Sequence, residues 1–151
     1  MLRLSKLTDY GIVVMTYLAR APERVHAANE VAAGTRISLP TVSKVLKLLS
    51  RGGLVLSCRG AKGGYRLARA AEAISVAEVI DAMEGPVAVT ECSSAAGTCV
   101  QESHCSIRAN WQRINDAIRV ALHGVSLAEM VVPMTSHRVN VGELGLSAGA
   151  F

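Results

Sequence analysis

Apolar residues recur every three or four positions over residues 6–21, the spacing that gathers them on one face of an α-helix. Ser5 stands just before this stretch, where its side-chain oxygen can accept from a backbone N–H of the first helical turn. Asp9, Thr16 and Arg20 fall on the opposite, polar side. The pattern predicts a first amphipathic helix with a buried face made of Leu7, Gly11, Val14, Met15 and Leu18.

A short helical pattern at 28–33 ends at Gly34, and four residues later a longer one runs over 39–51. Pro40 lies in the first turn of the longer helix, where a missing N–H removes no hydrogen bond. The apolar stripe of this helix is Val42, Val45, Leu46 and Leu49, and the opposite side carries Lys44, Lys47 and Arg51, with Pro40 and Thr41 at the start. A short helix, a tight turn and a helix with a basic face form the helix-turn-helix pattern, which predicts DNA contact.

Residues 54–67 have the pattern of a β-hairpin, with short apolar strands at 54–56 and 65–67. The connection Arg-Gly-Ala-Lys-Gly-Gly permits a tight turn and places Arg59 and Lys62 at its tip. The phosphate-binding pattern G-x-x-x-x-G-K-[ST] is absent from it. We therefore predict a DNA-contacting wing, hence a mainly α fold with a small β-hairpin wing: a winged helix-turn-helix over residues 1–72. Cys58, which ends the first strand, is expected to be a small buried apolar residue.

The second half begins with a predicted helix at 75–84, opened by a capping box of Ser75 and Glu78. A longer helix is predicted over 106–125, with a heptad-like apolar seam roughly 30 Å long. Such a seam either packs inside the chain or joins two copies, and we expect a homodimer. Ser126 should cap a last short turn, and residues 133–151 show no sustained period and are expected to form a mobile tail. The seam consists of Ile107, Trp111, Ile114, Ile118, Leu122 or Ala121, and Val125.

The charge distribution supports a nucleic-acid partner for the first half. Residues 1–72 carry 12 Lys and Arg against 4 Asp and Glu, a net +8, whereas residues 73–151 carry 4 against 8, a net −4. A basic half joined to an acidic one points to an anionic partner. The N-terminus has no apolar core of a secretory signal, and no window suggests a membrane span, so we expect a cytoplasmic protein without membrane association.

Three of the four cysteines, Cys92, Cys99 and Cys105, lie in a polar stretch without helical or strand periodicity, at the spacing C-x6-C-x5-C. Clustered cysteines in a reducing compartment more often bind metal or catalyse than form disulfides. Three thiolates suit an iron–sulfur cluster or zinc, and bare redox-sensing thiols are a further reading. Structural zinc sites usually contain C-x2-4-C knuckles, which this loop lacks. A cysteine hydrolase that pairs a thiol with His104 or His137 would also need an oxyanion hole, and the sequence contains no recognisable motif for one. We therefore expect neither an enzyme nor a small-molecule substrate.

Four features together resemble the iron–sulfur-dependent winged-helix regulators typified by IscR and NsrR. They are LRLSKLTDYGIVVMTYLA, ISLPTVSKVLKLLSRGGLV, the wing RGAKGGYRL and the spaced cysteines, and the resemblance covers about residues 1–132. It implies a homodimer with two winged-helix heads, long crossed helices and a cluster held by Cys92, Cys99 and Cys105 in residues 73–132. It also implies DNA contacts from Pro40, Thr41, Ser43, Lys44, Arg59 and Gly60.

The fourth cluster ligand differs between branches of this family. IscR-like members have a histidine three residues after the last cysteine, where this chain has Arg108, and arginine is not expected to bind iron. NsrR-like members use an aspartate in the first helix of the partner subunit, a position that matches Asp9. Asp9 is therefore ranked first and His104 second, although Asp9 also suits the positive end of the helix dipole. The choice bears on cluster type, because the Asp-ligated relatives hold 4Fe–4S and the His-ligated ones 2Fe–2S.

Within this family the resemblance is closest to the regulators of the SUF cluster-assembly operon. It implies a repressor of such an operon whose cluster state biases its affinity for DNA. A nitric-oxide-sensing or redox-sensing repressor of the same family is the alternative function, as is a winged-helix regulator with a structural zinc site.

Overall fold

The structure, a computed structural model, describes residues 3–94, 97 and 99–132. Helices dominate it, with one two-stranded antiparallel hairpin between the third and fourth helices. The mainly α fold with a β-hairpin wing is thus confirmed. In chain order the elements are α1 (Lys6–Ala19), α2 (Ala28–Thr35), α3 (Leu39–Arg51), β1 (Val55–Cys58), β2 (Gly64–Leu67), a 3-10 turn (Ala71–Ala73), α4 (Val76–Glu84), α5 (Glu91–Ser94), α6 (Arg108–His123) and α7 (Leu127–Val131).

Helix α1 begins as its sequence predicts, with the Ser5 side chain accepting from the Thr8 N–H at 3.2 Å. It ends at Ala19, two residues earlier than predicted, in a tighter turn in which the Arg20 N–H donates to the Tyr17 carbonyl. The predicted inward face is buried except for Leu7, which is half-buried. Thr8 is fully buried in addition, although no apolar pattern predicts a polar residue there.

The helix-turn-helix consists of α2 and α3. Helix α2 runs through Gly34 to Thr35, past the predicted end, and stops where Arg36 adopts a left-handed conformation with φ of 58°. Helix α3 has the predicted bounds, and its stripe of Val42, Val45, Leu46 and Leu49 is completely buried. The basic side of α3 is consequently turned away from the core.

The wing pairs β1 with β2 in the register Val55↔Leu67 to Cys58↔Gly64. It is joined to the helical body by His26, whose backbone N–H and carbonyl both pair with Tyr65 at 2.8 Å. A Cβ on Gly64 would lie 2.3 Å from the His26 carbonyl oxygen, so this close approach requires glycine. Cys58 is half-buried rather than buried, because it ends β1 next to the exposed turn of the hairpin.

One hydrophobic core joins both halves of the chain. It includes Val14 and Leu46 from the N-terminal segment and Ile74, Val79 and Leu127 from the C-terminal one. The capping boxes at the starts of α4 and α7 lie side by side, because Ser75 and Ser126 form a β-bridge. Two backbone hydrogen bonds, from Val76 N–H to the Val125 carbonyl and from Leu127 N–H to the Ile74 carbonyl, complete this junction.

Helix α6 packs against α4 and α5 but is poorly covered. It runs over Arg108–His123, shorter at both ends than the predicted 106–125, and its fully buried side chain is the polar Asn115. Ile107 and Ile114 are 51% and 45% exposed, and Trp111 and Ile118 are half-buried. The described part of the chain therefore leaves much of the predicted seam exposed.

None of the helices in the described part of the chain combines the length and apolar character that a membrane span requires. The predicted tail, residues 133–151, lies outside the described residues.

Candidate DNA-binding surface and cysteine loop

The predicted DNA-contacting residues of α3 lie along its outward side. Because the apolar stripe of the helix is packed into the core, its basic residues Lys44, Lys47 and Arg51 face solvent. The Thr41 hydroxyl is 2.8 Å from the Ser38 hydroxyl, so both side chains are held at the start of the helix. Of the six residues predicted here, four are exposed (Pro40, Lys44, Lys47 and Arg51) and two are half-buried (Thr41 and Ser43).

The tip of the wing presents a second basic group. Arg59, Gly60 and Lys62 are all exposed. Gly60 has a φ of 113°, a conformation that side-chain-bearing residues rarely adopt, and its carbonyl accepts from the Gly63 N–H at 2.9 Å. The turn thus carries two exposed cations at the tip of the hairpin.

Among the described residues, the cations of both groups take part in no ion pair. The ion pairs found among the described residues involve Arg24, His26, Arg69 and Arg108 and none of the predicted DNA-contacting side chains. Arg36 adds an exposed cation in the turn between α2 and α3, which the sequence pattern did not single out. Its place in the turn of the helix-turn-helix, close to the start of α3, is the sequence feature that could have marked it as a candidate DNA contact.

The three loop cysteines lie in two separate local environments. Cys92 is on the short helix α5, where the sequence predicted only loop, and its Sγ is 3.2 Å from the Thr90 hydroxyl. It borders a polar cavity of about 280 Å³ together with Asn115, Asp116 and Arg119 of α6. Asn115 anchors this region by accepting from the Val89 N–H at 3.1 Å.

Cys99 and Cys105 lie on a series of tight turns that precede α6. The Cys99 carbonyl accepts from the Glu102 N–H at 3.1 Å, and the Cys105 carbonyl accepts from the Arg108 N–H at 3.4 Å. Both thiols are half-buried. His104 is exposed, with its Nδ1 2.8 Å from the Ser103 hydroxyl.

Glu102 and Arg108 form an ion pair within these turns. A guanidinium nitrogen of Arg108 lies 2.6 Å from one carboxylate oxygen of Glu102, and the other carboxylate oxygen accepts from the Gly97 N–H at 2.5 Å. Glu102 is only 12% exposed. The sequence predicted only that Arg108 does not bind iron, and the structure shows it engaged by this carboxylate.

The proposed ligands are not assembled within a single chain. Among the described residues no three His, Cys, Asp or Glu side chains are placed to hold one metal ion. Asp9 is exposed in the first turn of α1, as predicted for a residue that faces away from its own core. The donor set nevertheless fits an iron–sulfur cluster chemically, because three thiols lie on one short segment and Cys thiolates are the ligands such clusters take.

A sequence profile of the Rrf2 family, described as iron-dependent transcriptional regulators, matches residues 4–133. The chain belongs to the Rrf2 family. Members of this family are transcriptional regulators that bind DNA and are not enzymes, so the basic surface of α3 and the wing is part of a DNA-binding regulator.

Relatives of known name agree with this membership. ORF2 of Azotobacter vinelandii, named as an HTH-type transcriptional regulator, is 35% identical over 136 residues, which cover 86% of this chain and 79% of that protein. CymR (YrzC), the global cysteine regulator of B. subtilis, is 28% identical with a TM-score of 0.67, covering 87% of this Rrf2 chain and 97% of CymR. IscR of T. potens is 30% identical with a TM-score of 0.63, covering 86% of each chain.

Proposed function

We propose that this Rrf2-family regulator is a homodimeric repressor that senses an iron–sulfur cluster and controls a SUF cluster-assembly operon. The observation that carries the proposal is the set of three half-buried thiols, Cys92, Cys99 and Cys105, on the segment between α4 and α6. The family's description as iron-dependent and the likeness to IscR support it.

Ligand chemistry favours a cluster over zinc at this segment. Zinc and iron–sulfur clusters both accept thiolates, but structural zinc sites close four ligands tetrahedrally and usually begin with a short C-x2-4-C knuckle. Here six and five residues separate successive cysteines, and Cys92 is on a different local element from Cys99 and Cys105. When bound, a cluster would supply iron-centred redox chemistry and iron that can react with nitric oxide, in addition to the chemistry of the thiols themselves.

Asp9 of a second copy is the fourth ligand in this proposal. It is exposed at the start of α1, and no ion pair of the described residues engages its carboxylate. A hard oxygen among three thiolates would bind weakly, leaving that side of the site open to small molecules. Ligation from a second copy would also tie the cysteine loop of one subunit to the DNA-binding head of the other.

The coupling to DNA follows from that connection. Two winged-helix heads read a near-palindromic operator when their separation matches successive major grooves. A loop fastened to α1 of the opposite copy would fix that separation, and a typical coupling free energy is about 1–3 kcal/mol. Pro40, Thr41, Ser43 and Lys44 would then reach the bases, with Lys47, Arg51, Arg59, Gly60 and Lys62 on the backbone.

Anaerobic reconstitution with iron and sulfide, followed by absorption and Mössbauer spectroscopy, tests the cluster. We expect Cys92→Ala, Cys99→Ala and Cys105→Ala each to abolish it, whereas Cys58→Ala, the matched cysteine on the wing, should retain the wild-type spectrum. Asp9→Ala should keep the dimer but change the spectrum and hasten loss in air, and His104→Ala should leave the spectrum unchanged. Colourless wild-type protein containing stoichiometric zinc, or a changed spectrum for His104→Ala alone, would contradict these assignments.

The target is tested separately. The reconstituted protein should bind the promoter of the SUF operon of its own genome more tightly than an unrelated promoter of equal length. Equal affinity for the two fragments at physiological salt would remove the SUF assignment while leaving the cluster intact.

A further inference from the structure

We infer that Glu102 and Arg108 form a brace that positions the segment carrying Cys99 and Cys105. The inference deepens the proposed function and rests on it for the cluster, whereas the brace itself is a property of the chain. It assigns a positioning role to an arginine at the sequence position where the IscR-like branch has a histidine ligand.

The geometry of the carboxylate carries the inference. Glu102 lies between Cys99 and Cys105 in the sequence, and its two oxygens point to two different parts of the chain. One is 2.6 Å from the guanidinium of Arg108, the first residue of α6, and the other accepts from the Gly97 N–H at 2.5 Å. A single side chain therefore joins the far side of the loop to the start of a helix.

Glu102 is the more buried partner of this ion pair, in which the Arg108 side chain is 39% exposed. Glu102 is 12% exposed, so its charge is largely withdrawn from water and depends on these two donors. The Nε of Arg108 is itself buried and makes no hydrogen bond among the described residues. Among those residues, Glu102 is the ion partner of the guanidinium. Glu102, Arg108 and Cys99 all line one cavity of about 440 Å³, so the ion pair and this cysteine belong to the same small region of the surface.

The brace acts on one part of the loop and not on the other. The turns from Cys99 to Arg108 close around the ion pair through the Glu102 N–H and the Arg108 N–H. Cys92 is held separately, on α5, beside the Thr90 hydroxyl. Loss of the brace should therefore loosen Cys99 and Cys105 while Cys92 keeps its surroundings.

Alkylation of the reduced, metal-free protein by iodoacetamide tests the brace without a cluster. Mass spectrometry follows the rate at each of the four cysteines in wild type, Glu102→Ala, Glu102→Gln and Arg108→Gln. In the three variants we expect the alkylation rates at Cys99 and Cys105 to be about threefold to tenfold higher than in wild type, because each variant loses a partly buried charged hydrogen-bond pair. The alkylation rates at Cys92 and Cys58 should not change. Arg108→Lys, which keeps the positive charge, should retain most of the protection that Arg108→Gln loses. Glu23 is an exposed carboxylate in the turn after α1, and Glu23→Gln serves as the control.

Unchanged rates at Cys99 and Cys105 would overturn the inference, and so would a rise at all four cysteines, which indicates general loosening of the fold. A second arm measures the lifetime of the reconstituted cluster in air, which should shorten at least threefold in Glu102→Ala. An unaltered lifetime beside faster alkylation would refute the positioning role. If wild-type protein takes up no cluster, the proposed function fails, but the alkylation result still decides whether the brace exists.

Discussion

Hydrogen bonds from single polar side chains join helices of this regulator at points where apolar packing alone would not fix the angle between them. Glu84, the last residue of α4, accepts from the Ser5 N–H at 2.9 Å and from the Thr8 hydroxyl at 2.5 Å. This explains why Thr8 is fully buried on an otherwise apolar face. Hydrogen bonds from Ser5 and Thr8 hold the pKa of the Glu84 carboxyl below its usual range.

The depressed pKa of Glu84 predicts a pH-dependent contribution to stability. Because the folded state favours the carboxylate, the contribution is present above the unfolded pKa of about 4.3 and disappears as pH falls through the lower folded pKa. Glu84→Gln should lower the free energy of unfolding at pH 7 by about 0.5–1 kcal/mol, a modest value because the group is largely solvated. Urea unfolding at pH 7 and pH 3 measures the difference.

The difference between Glu84→Gln and wild type should shrink toward zero at pH 3. Glu72→Gln, an exposed carboxylate on the 3-10 turn, is the matched control and should change little at either pH. A deficit of equal size at both values of pH would show that the lost stability comes from packing and not from the charge.

At the scale of elements, the wing and α3 act as one surface because both are fixed to the same helical body. The apolar stripe of α3 is buried, and the double hydrogen bond between His26 and Tyr65 attaches the hairpin to the segment before α2. His26 is itself buried, its ring edge-on to Tyr17 and its Nε2 3.2 Å from the Ala21 carbonyl oxygen. The orientation of the wing is thus set by contacts far from its own sequence.

Substitution of Lys47 tests whether the basic side of α3 faces DNA. It is exposed on the basic side and engaged in none of the described ion pairs, so we expect it to contact a phosphate. Lys47→Ala should weaken binding to every duplex and reduce the slope of log affinity against log salt by about one. Fluorescence anisotropy at several salt concentrations measures both quantities, with Lys6→Ala on α1 as the control lysine.

Thr41 and Lys44 should behave differently from Lys47, because residues at the start of a recognition helix contact base edges. Their substitution should alter the preference among operator sequences. If Lys47→Ala keeps both the wild-type affinity and the wild-type salt slope, this side of α3 does not face DNA.

At the scale of the whole molecule, one core holds the DNA-binding segment and the cysteine segment together, while α6 has an apolar face that the described residues leave partly exposed. Residues from both segments meet in the core, including Met15 and Ile74. Along α6, Ile114 borders an open cavity of about 580 Å³ with Ala117 and Ile118. An apolar face of this kind on a long helix matches the predicted dimer seam.

Ile114→Glu should therefore convert the proposed dimer into monomer or make the protein insoluble, because a carboxylate would be buried unpaired in the seam. Val120→Glu is the matched control: Val120 is an exposed apolar residue of α6 that lies off the seam. Sedimentation velocity of the two variants gives the assembly state. A soluble Ile114→Glu dimer with unchanged operator affinity would place the interface elsewhere.

The sequence by itself determined the features that depend on neighbours within a few residues. The bounds and buried stripe of α3 and the capping box of Ser75 and Glu78 follow from helical periodicity and from side chains that reach only one turn away. The hairpin also followed, because glycines and alternation near the turn define it locally. The spacing of the three loop cysteines could be read from the sequence in the same way, whereas their role as cluster ligands stays a prediction.

Only the tertiary structure decided the contacts between residues distant in sequence and those that depend on the path of a loop. The Glu84 bonds to Ser5 and Thr8 join residues more than 70 positions apart, and His26 meets Tyr65 across most of the winged helix. Glu102 and Arg108 are close in sequence, yet no periodic pattern predicts that the carboxylate turns inward to meet both Arg108 and Gly97. Such contacts depend on how the assembled core directs each segment, and local propensity carries no information about that direction.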